Sequence, residues 1–376
     1  MDQSMLSPTI GTPFDQAMMQ RCLQLACQGM GKTSPNPLVG AVVVQNGKIV
    51  GEGYHPSFGE PHAEVFALRE AGEKAQGATL YVNLEPCNHY GRTPPCSEAV
   101  IQAGIAKVIM GMADPNKTAS GGKERLEEAG ISVVVGVEEK ACLELNAGFI
   151  QRVLYQRPYG IFKYAMTLDG KIATTIGHSA WVTDIPARKR VYQERAQCDA
   201  VIVGGNTIRQ DNPYLTTHQL TSHNPLRIIM TQGLNLSPQA RIFQTEEAST
   251  LVLTETENLA VKKQLEKQGV EVYQLSPLTP KTVMKYLYER GLAKVLWECG
   301  GNLGAKAIKE GAVQQIFAFI APKIIGGVAA PSPVGDLEFK QMTEALILEE
   351  TSWEQLGNDY LLKGKIASSF WEKRLN

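Results

Sequence analysis

Strand-like and helix-like segments alternate along the whole chain, and this alternation restricts the possible folds more than any other feature. In the first half, the β-rich runs LVGAVVVQ (38–45) and KIVGEGYH (48–55) flank Asn46-Gly47, a dipeptide typical of tight hairpins. A segment with helical spacing, 15–29, precedes them, and helical and β-rich runs alternate after them. This pattern predicts crossover units and therefore an α/β fold.

The alternation restarts near the middle of the chain. Pro158 ends the last helical pattern of the first half, so we place a domain boundary near Gln156. Before it, helices are predicted over 62–75, 96–103, 123–129 and 138–155, between the runs ATLYVNLE, KVIMGM and ISVVVGV. After it, strands are predicted at 160–166, DAVIVG, LRIIM, TLVLT, VEVYQL, KVLWEC, QQIFAFIAP and 360–366, and helices at 185–196, 259–267, 282–290 and from Leu303. We expect two α/β domains, 14–150 and 158–376, with different strand orders.

Composition restricts the classes of molecule that this chain can be expected to bind. The chain has 376 residues, enough for two domains, and a net charge of −1, which offers no basic field for nucleic acid. Its seven cysteines are odd in number and scattered, which argues against a disulfide framework and for a reducing compartment, the cytoplasm. No run approaches the roughly 20 apolar residues of a membrane span. A small-molecule partner is therefore expected, with neither nucleic acid nor membrane.

The motif HAE (62–64) and the segment EPCNHYGRTPPC (85–96) contain residues that bind zinc. His62, Cys87 and Cys96 supply an imidazole and two thiolates, so a tetrahedral zinc ion would keep one open position, as in catalytic sites. The zinc deaminase signature H-x-E then P-C-x-x-C places two residues between its cysteines, whereas eight separate them here. A closed structural site, with His89 as the fourth ligand, is the alternative.

Glu64 follows His62 by two residues at the start of a predicted helix. Its carboxylate can reach a water at the metal without itself being a ligand, take a proton from that water and return it to departing ammonia. By itself, an acid in a first helical turn is more simply explained by the helix dipole. Its position in HAE favours the catalytic role.

Residues around this motif are candidates for substrate binding. Pro94 and Pro95 predict that Cys96 begins a helix, which makes NHYGRTPP a loop that presents His89 and Arg92. An arginine there can hold a phosphate or carboxylate bidentately, or can simply be solvated. Asn36 lies between two prolines and His55 shortly precedes HAE; a turn asparagine and a strand-end histidine are the alternatives.

The second half contains two glycine-rich turns that follow predicted strands. GGNLGAK (300–306) opens a helix whose N–H groups can bind phosphate, and Gly204-Gly205 precedes Thr207 and Asp211. Neither turn is the full G-x-G-x-x-G pattern, and a purely structural role is an equal alternative. Together they favour a nucleotide-like ligand.

Eight segments resemble the bifunctional deaminase-reductase family of riboflavin biosynthesis over essentially the whole chain from about residue 14. In order, they are NPLVGAVVV, GEGYHPSFGEPHAEVFAL, LYVNLEPCNHYGRTPPC, VIMGMADPN, KYAMTLDGKIA, SAWVTD, DAVIVGGNTIRQDNPYLT and WECGGNLGAK. Two unrelated sets of motifs in the expected order make this resemblance specific.

The resemblance implies a cytidine-deaminase-like, three-layer first domain that deaminates 2,5-diamino-6-(5-phosphoribosylamino)pyrimidin-4(3H)-one. It implies that zinc is bound by His62, Cys87 and Cys96, and that Glu64 transfers protons. The substrate contacts of the family match Asn36, His55, His89 and Arg92.

The resemblance also implies a dihydrofolate-reductase-like α/β second domain that uses NADPH to reduce the ribosyl group to ribityl. Its cofactor contacts match Ala165, Trp181, Thr207, Asp211, Gly300, Gly301, Asn302, Leu303 and Gly304. Its substrate contacts match Ser179, Arg195, Leu215, His218 and Glu298. For Arg195 a solvated helix face is the alternative, and for Trp181 a position in the core. A homo-oligomer is expected by analogy with the family.

Three positions depart from the family pattern. His218 stands where relatives commonly have a basic residue, Thr231 where they commonly have an aspartate, and Lys117 where they often have a proline. Two other functions remain in competition. One is a deaminase of another nucleotide or of a base in nucleic acid, with a non-catalytic second domain. The other is a nucleotide-binding module with a structural metal; release of ammonia from the pyrimidine discriminates among all three.

Overall fold

The computed structural model describes residues 10–91, 94–256, 258–367 and 370. The chain divides into two compact units between Gln156 and Arg157. Both units combine a sheet with helices, so the predicted α/β class is confirmed. None of the described helices combines the length and apolar character needed to cross a membrane.

The first unit contains a five-stranded sheet among its described residues, in the order β2-β1-β3-β4-β5. Its elements are α1 (Pro13–Ala26), β1 (Gly40–Gln45), β2 (Lys48–Tyr54), α2 (Ala63–Ala71), β3 (Thr79–Val82), α3 (Cys96–Gln102), β4 (Lys107–Met110), α4 (Gly122–Glu128), β5 (Ser132–Val135), α5 (Glu139–Leu145) and α6 (Ala147–Tyr155). The predicted hairpin is confirmed, since β1 and β2 are antiparallel neighbours. Strands β3, β4 and β5 run parallel.

Two glycines of β2 bring α2 against the hairpin. A Cβ at Gly51 would lie 2.1 Å from the carbonyl oxygen of Ala67, and one at Gly53 would lie 2.4 Å from that of Ala63. Only glycine permits so close an approach of two backbones. The start of α2, which carries the HAE motif, is therefore held directly against the sheet.

The single helix predicted over 138–155 is wrong, because the structure has two helices that are separated at Asn146. The Asn146 side chain accepts a hydrogen bond from the Leu38 N–H at 2.8 Å and donates one to the Leu38 carbonyl at 3.0 Å. An asparagine side chain that satisfies backbone groups elsewhere favours such a break. This tertiary contact is invisible to local helical spacing.

The second unit contains a nine-stranded sheet among its described residues, in the order β10-β9-β8-β7-β11-β6-β12-β14-β13. Its elements are β6 (Tyr159–Thr167), α7 (Ile185–Ala196), β7 (Ala200–Gly204), α8 (Gly205–Asp211), β8 (Leu226–Thr231), β9 (Thr250–Thr254), α9 (Leu259–Lys267), β10 (Glu271–Gln274), α10 (Pro280–Glu289), β11 (Lys294–Trp297), α11 (Gly301–Lys309), β12 (Gln315–Ala321), β13 (Leu348–Leu356) and β14 (Asp359–Ile366). The first seven strands in this order, from β10 through β6 to β12, run parallel to their neighbours, whereas β14 is antiparallel to both β12 and β13. The expected difference in strand order is confirmed, but α8 and β13 were not predicted.

Candidate functional site

A cavity of about 320 Å³ in the first unit collects most of the residues predicted for deamination. The predicted residues that line it are Asn36, His55, His62, Glu64, Cys87 and His89. Phe149 of α6 also lines it, as do Glu85 and Asp114 from segments that follow β3 and β4. Arg92 lies outside the described residues. Segments that are distant in sequence therefore form one site.

His62, Cys87 and Cys96 are brought together by the ends of two helices. His62 immediately precedes α2, Cys96 is the first residue of α3, and Cys87 lies in the loop after β3. The Nδ1 atom of His62 is 3.5 Å from Sγ of Cys87 and 3.3 Å from Sγ of Cys96. A tetrahedral ion with bonds of about 2.3 Å to sulfur and 2.0 Å to nitrogen holds such atoms roughly 3.5 Å apart. These three side chains therefore fit zinc.

Electrostatics at this cluster also favour a bound cation. A hydrogen bond with Cys96 lowers the pKa of the Cys87 thiol to about 4, and a hydrogen bond with Cys87 raises the pKa of His62 to about 9. Cys87 is therefore a thiolate beside a protonated His62 ring, and a zinc ion would take the place of the ring proton and supply the positive charge that the thiolate favours. His89 lines the cavity but is not in the cluster, so a closed structural site has no fourth ligand among the residues described.

Glu64 lies beside this cluster in the first turn of α2. Its side chain is buried with 3% exposure, and burial raises its pKa to about 7. One carboxylate oxygen, Oε2, has no hydrogen-bond partner in the described structure. Buried oxygens are seldom left in this state unless a water, ion or ligand completes them. A carboxylate with a pKa near neutrality suits proton transfer at physiological pH.

Asn36 and His55 form a hydrogen-bonded pair in the cavity. Nδ1 of His55 is 3.0 Å from the Pro61 carbonyl oxygen, so this nitrogen carries the proton and donates. The other ring nitrogen, Nε2, therefore accepts from Nδ2 of Asn36 at 3.1 Å. Burial lowers the pKa of His55, which agrees with a neutral ring. This network shows that the nitrogen of the Asn36 amide faces His55, so the amide oxygen is left as an acceptor for substrate.

Sequence reasoning missed two acidic residues of the cavity. Glu85 accepts hydrogen bonds from the N–H groups of Asp114, Gly121 and Lys123, each at 3.0 Å, and so ties the rim of the cavity to the cysteine loop. Burial raises the pKa of Asp114 to about 6. The position of Glu85 two residues before Cys87 was the available signal.

In the second unit, parallel strands bring the predicted reductase residues to one edge of the sheet. Strands β6, β11, β7 and β8 are successive neighbours, so their carboxyl ends lie side by side. Ala165 lies near the end of β6, Glu298 and Gly300 follow β11, and Gly204 ends β7. In open parallel sheets, ligands bind outside this edge.

The glycine turn after β11 has one packed position and one open position. A Cβ at Gly304 would lie 2.4 Å from the buried ring of Phe162, whereas one at Gly300 would meet nothing within 4 Å. The helix α11 that follows has no side-chain cap, so N–H groups of its first turn are available to an anion. Packing therefore explains Gly304, while the open space at Gly300 and the uncapped helix fit the phosphates of a dinucleotide.

Alanine substitutions should separate these two glycines. Gly304→Ala is expected to lower the free energy of unfolding by about 1–3 kcal/mol, because the methyl group overpacks against Phe162. Gly300→Ala should leave stability nearly unchanged but weaken dinucleotide binding. Thermal unfolding and NADP⁺ titration of both variants provide the check; equal loss of stability in the two would contradict this assignment.

Arg195 and Glu298, two predicted substrate contacts, are paired with each other. Nε and Nη2 of Arg195 donate to the two carboxylate oxygens of Glu298 at 2.6 and 3.1 Å, and Nη1 donates to the Thr216 carbonyl at 2.9 Å. Lys163, which sequence reasoning missed, donates to Glu298 at 3.2 Å. Burial alone would raise the pKa of Glu298, but Arg195 and Lys163 hold it at about 2. Arg195 is buried, so the solvated-face alternative is wrong.

The remaining predicted residues occupy the loops around this edge. Ser179 donates to Asp211 at 2.8 Å, which joins a predicted substrate contact to a predicted cofactor contact. Trp181 is 69% exposed, so the alternative of a core position is wrong; the guanidinium of Arg188 lies 4.1 Å from its ring centre.

Two further predicted contacts belong to the loop after α8. Leu215 and His218 have left-handed φ values of 57° and 49°. The ring of His218 lies against that of Tyr192 at a centroid distance of 4.2 Å, with the two ring planes inclined by 31°. Burial and the charge of Arg195 lower the pKa of His218, so its ring is neutral at pH 7. Thr207 is half-buried within α8.

Two family models match the chain in the order of the two units. Residues 12–112 match the cytidine and deoxycytidylate deaminase zinc-binding region, and residues 158–362 match the RibD C-terminal domain. The first match includes the His62–Cys87–Cys96 cluster, and the second includes the edge at Glu298 and Gly300.

Relatives match over nearly the full length. The riboflavin biosynthesis protein RibD of Synechocystis is 57% identical over 94% of this chain and 97% of its own, and that of Aquifex aeolicus is 45% identical over 93% and 98%. A Thermotoga maritima structure, described as a diaminohydroxyphosphoribosylaminopyrimidine deaminase/5-amino-6-(5-phosphoribosylamino)uracil reductase, has a TM-score of 0.82 at 35% identity, covering 94% of this chain and 99% of that one. The chain therefore belongs to the RibD family and is a bifunctional enzyme of riboflavin biosynthesis, a zinc-dependent deaminase and an NADPH-dependent reductase.

Proposed function

We propose that residues 14–150 deaminate 2,5-diamino-6-(5-phosphoribosylamino)pyrimidin-4(3H)-one and that residues 158–376 reduce the ribosyl group of the resulting aminouracil to ribityl. The name of the Thermotoga protein gives both activities in this order. The division of the chain between Gln156 and Arg157 and the order of the two family matches support the domain assignment.

The observation that carries the deaminase assignment is the unpartnered Oε2 of Glu64 beside the cluster. His62, Cys87 and Cys96 would hold zinc, which supplies Lewis acidity that makes water a nucleophile at neutral pH. Glu64 takes the proton of the attacking water and delivers it to the departing amino group. Because its carboxylate is buried, bulk water does not compete for this transfer.

Substrate orientation in the cavity is the role we assign to four further residues. Asn36 presents its amide oxygen to a ring N–H or amino group, since one N–H of its Nδ2 already donates to His55. His89 lines the cavity, and we assign Arg92, three residues later in the sequence, to the substrate phosphate. The cavity volume suits one nucleotide-sized ligand.

For the reductase, we place NADPH along the carboxyl edge of β6, β11 and β7, where it supplies a hydride. The residues that hold it are Ala165, Trp181, Thr207, Asp211, Gly300, Gly301, Asn302, Leu303 and Gly304. The residues that hold the aminouracil are Ser179, Arg195, Leu215, His218 and Glu298. The bidentate pair of Arg195 with Glu298 fixes both side chains in one orientation, which serves alignment of substrate and cofactor.

We further assign the enzyme to the cytoplasm, as a homo-oligomer that binds neither nucleic acid nor membrane. Seven free cysteines support a reducing compartment, and the net charge of −1 argues against a nucleic-acid surface.

One experiment tests both assignments. The full chain is expected to contain zinc, to release ammonia from the diaminopyrimidine nucleotide, and to oxidise NADPH only when the aminouracil is supplied or formed. Removal of zinc by a chelator should stop ammonia release and leave reduction of supplied aminouracil in place. Ammonia release by metal-free enzyme, or no reduction of aminouracil, would refute the corresponding half.

A further inference from the structure

Arg227 of β8 is fully buried although it carries a charge. Its exposure is 0%, and burial lowers the pKa of its guanidinium to about 10, so the group is still protonated at neutral pH. The hydrogen bonds described for it go to backbone carbonyls: Nη1 donates to Tyr214 at 3.2 Å, and Nη2 donates to Gln244 at 2.8 Å and to Ala248. Nε has no hydrogen-bond partner in the described structure. A buried charge in such surroundings is costly, so its presence requires an explanation.

Arg227 lies on the face of the sheet that carries the pair of Arg195 and Glu298. One row of paired residues crosses β6, β11, β7 and β8, namely Phe162, Trp297, Ile202 and Ile228. Lys163 and Arg227 are each one residue away from this row, so their side chains project together from the opposite face. On that face Lys163 contacts Glu298, which is paired with Arg195.

Arg227 and Arg195 hold the two carbonyls on either side of Leu215. Nη1 of Arg227 donates to the Tyr214 carbonyl, and Nη1 of Arg195 donates to the Thr216 carbonyl at 2.9 Å. Leu215 is buried between them with a left-handed φ of 57°. Such a backbone is unfavourable for a residue with a Cβ and persists only where the surrounding structure fixes it. The two guanidinium groups, one from α7 and one from β8, supply this restraint.

The loop held in this way contains Leu215 and His218, which we assign to the aminouracil, and the inference therefore rests on the proposed reductase function. We propose that Arg227 is a positioning residue of the reductase: by holding the Tyr214 carbonyl opposite Arg195, it keeps Leu215 in the left-handed conformation in which the loop binds the aminouracil. Because Arg227 is buried, it acts on the substrate only through this loop.

The test measures reduction of supplied aminouracil by the full chain at steady state, and NADP⁺ binding separately by titration calorimetry. Arg227→Lys keeps the charge but loses the planar fork that reaches three carbonyls. It is expected to raise the KM for the aminouracil about tenfold to hundredfold, the usual effect of losing a hydrogen bond to a charged group. The value of kcat, the NADP⁺ dissociation constant and ammonia release should stay near their original values, because only binding of the aminouracil is affected.

Two further variants separate positioning from stability. Thr250 is paired with Arg227 across β8 and β9, is also buried, and donates to the Ile242 carbonyl at 2.7 Å. Thr250→Val removes this buried hydrogen bond without touching the loop, so it should lower the melting temperature and leave the KM for the aminouracil unchanged. Leu215→Ile keeps Arg227 but puts a branched Cβ at the left-handed position, so it should raise this KM as Arg227→Lys does.

An unchanged KM for the aminouracil in Arg227→Lys overturns the proposal, and so does an equal rise in Thr250→Val, which would reflect a general loss of stability. If Arg227→Lys no longer binds NADP⁺, Leu215→Ile decides: a raised KM supports the proposal and an unchanged KM overturns it. Failure of the unmodified chain to reduce supplied aminouracil would instead refute the reductase function itself.

Discussion

Replacement of Glu64 by Gln is expected to lower the rate of deamination by about 10²–10⁴-fold, because the amide cannot accept the proton of the attacking water. The substitution keeps the size of the side chain and does not touch His62, Cys87 or Cys96, so zinc content should remain at one per chain. Ammonia release measures the first effect, and elemental analysis of the purified protein measures the second.

The second domain supplies an internal control for this variant. Reduction of supplied aminouracil should proceed at the original rate, since Glu64 belongs to the first unit. Ammonia release at the original rate would remove Glu64 from the mechanism. Loss of zinc together with activity would show instead that the carboxylate is needed to hold the metal.

Glu298→Gln is expected to destabilise the second unit by about 3–5 kcal/mol, the usual effect of removing one partner from a buried ion pair. Arg195 and Lys163 would then be two largely buried cations without a carboxylate between them. Differential scanning calorimetry of the full chain should show the transition of the second unit at a lower temperature, with the transition of the first unit unmoved.

The low pKa of Glu298 also predicts how the stability of the second unit changes at acid pH. Its pKa is about 2 in the folded protein against an ordinary value of 4.5, so ionised Glu298 stabilises the fold fully above about pH 4.5. This contribution is lost as the pH falls from 4.5 toward 2. In Glu298→Gln, the second unit should lose less stability over this interval; an identical acid profile in both proteins would argue against the depressed pKa.

The parts of the fold that local patterns determine were predictable. The hairpin around Asn46-Gly47 and the start of α3 after two prolines follow from turn and proline chemistry. The break at Asn146 depends on Leu38, more than a hundred residues away, so no local window contains it. The exposed strand β13 lacks an alternating apolar pattern and is held by pairing with β14, which explains why it was missed.

The residues of the candidate site also divide into those that the sequence could predict and those that it could not. His62, Glu64, Cys87 and Cys96 lie in a compact motif whose chemistry requires those residue types, and the structure brings all four together. Glu85 and Lys163 act on other side chains or on backbone groups, and their partners become neighbours only in the folded chain. The spacing of residues in the sequence likewise could not predict that Arg195 pairs with Glu298.

The hydrogen bonds between Asn146 and Leu38 have a consequence for the size of an independent deaminase. They fasten the end of the first unit to the segment just after Asn36, and Phe149 in the next helix forms part of the cavity wall. The zinc-binding family match stops at residue 112. A chain cut there would keep the three metal ligands and Glu64 but lose a wall of the substrate chamber, so the shortest piece able to recognise its nucleotide must continue beyond Phe149.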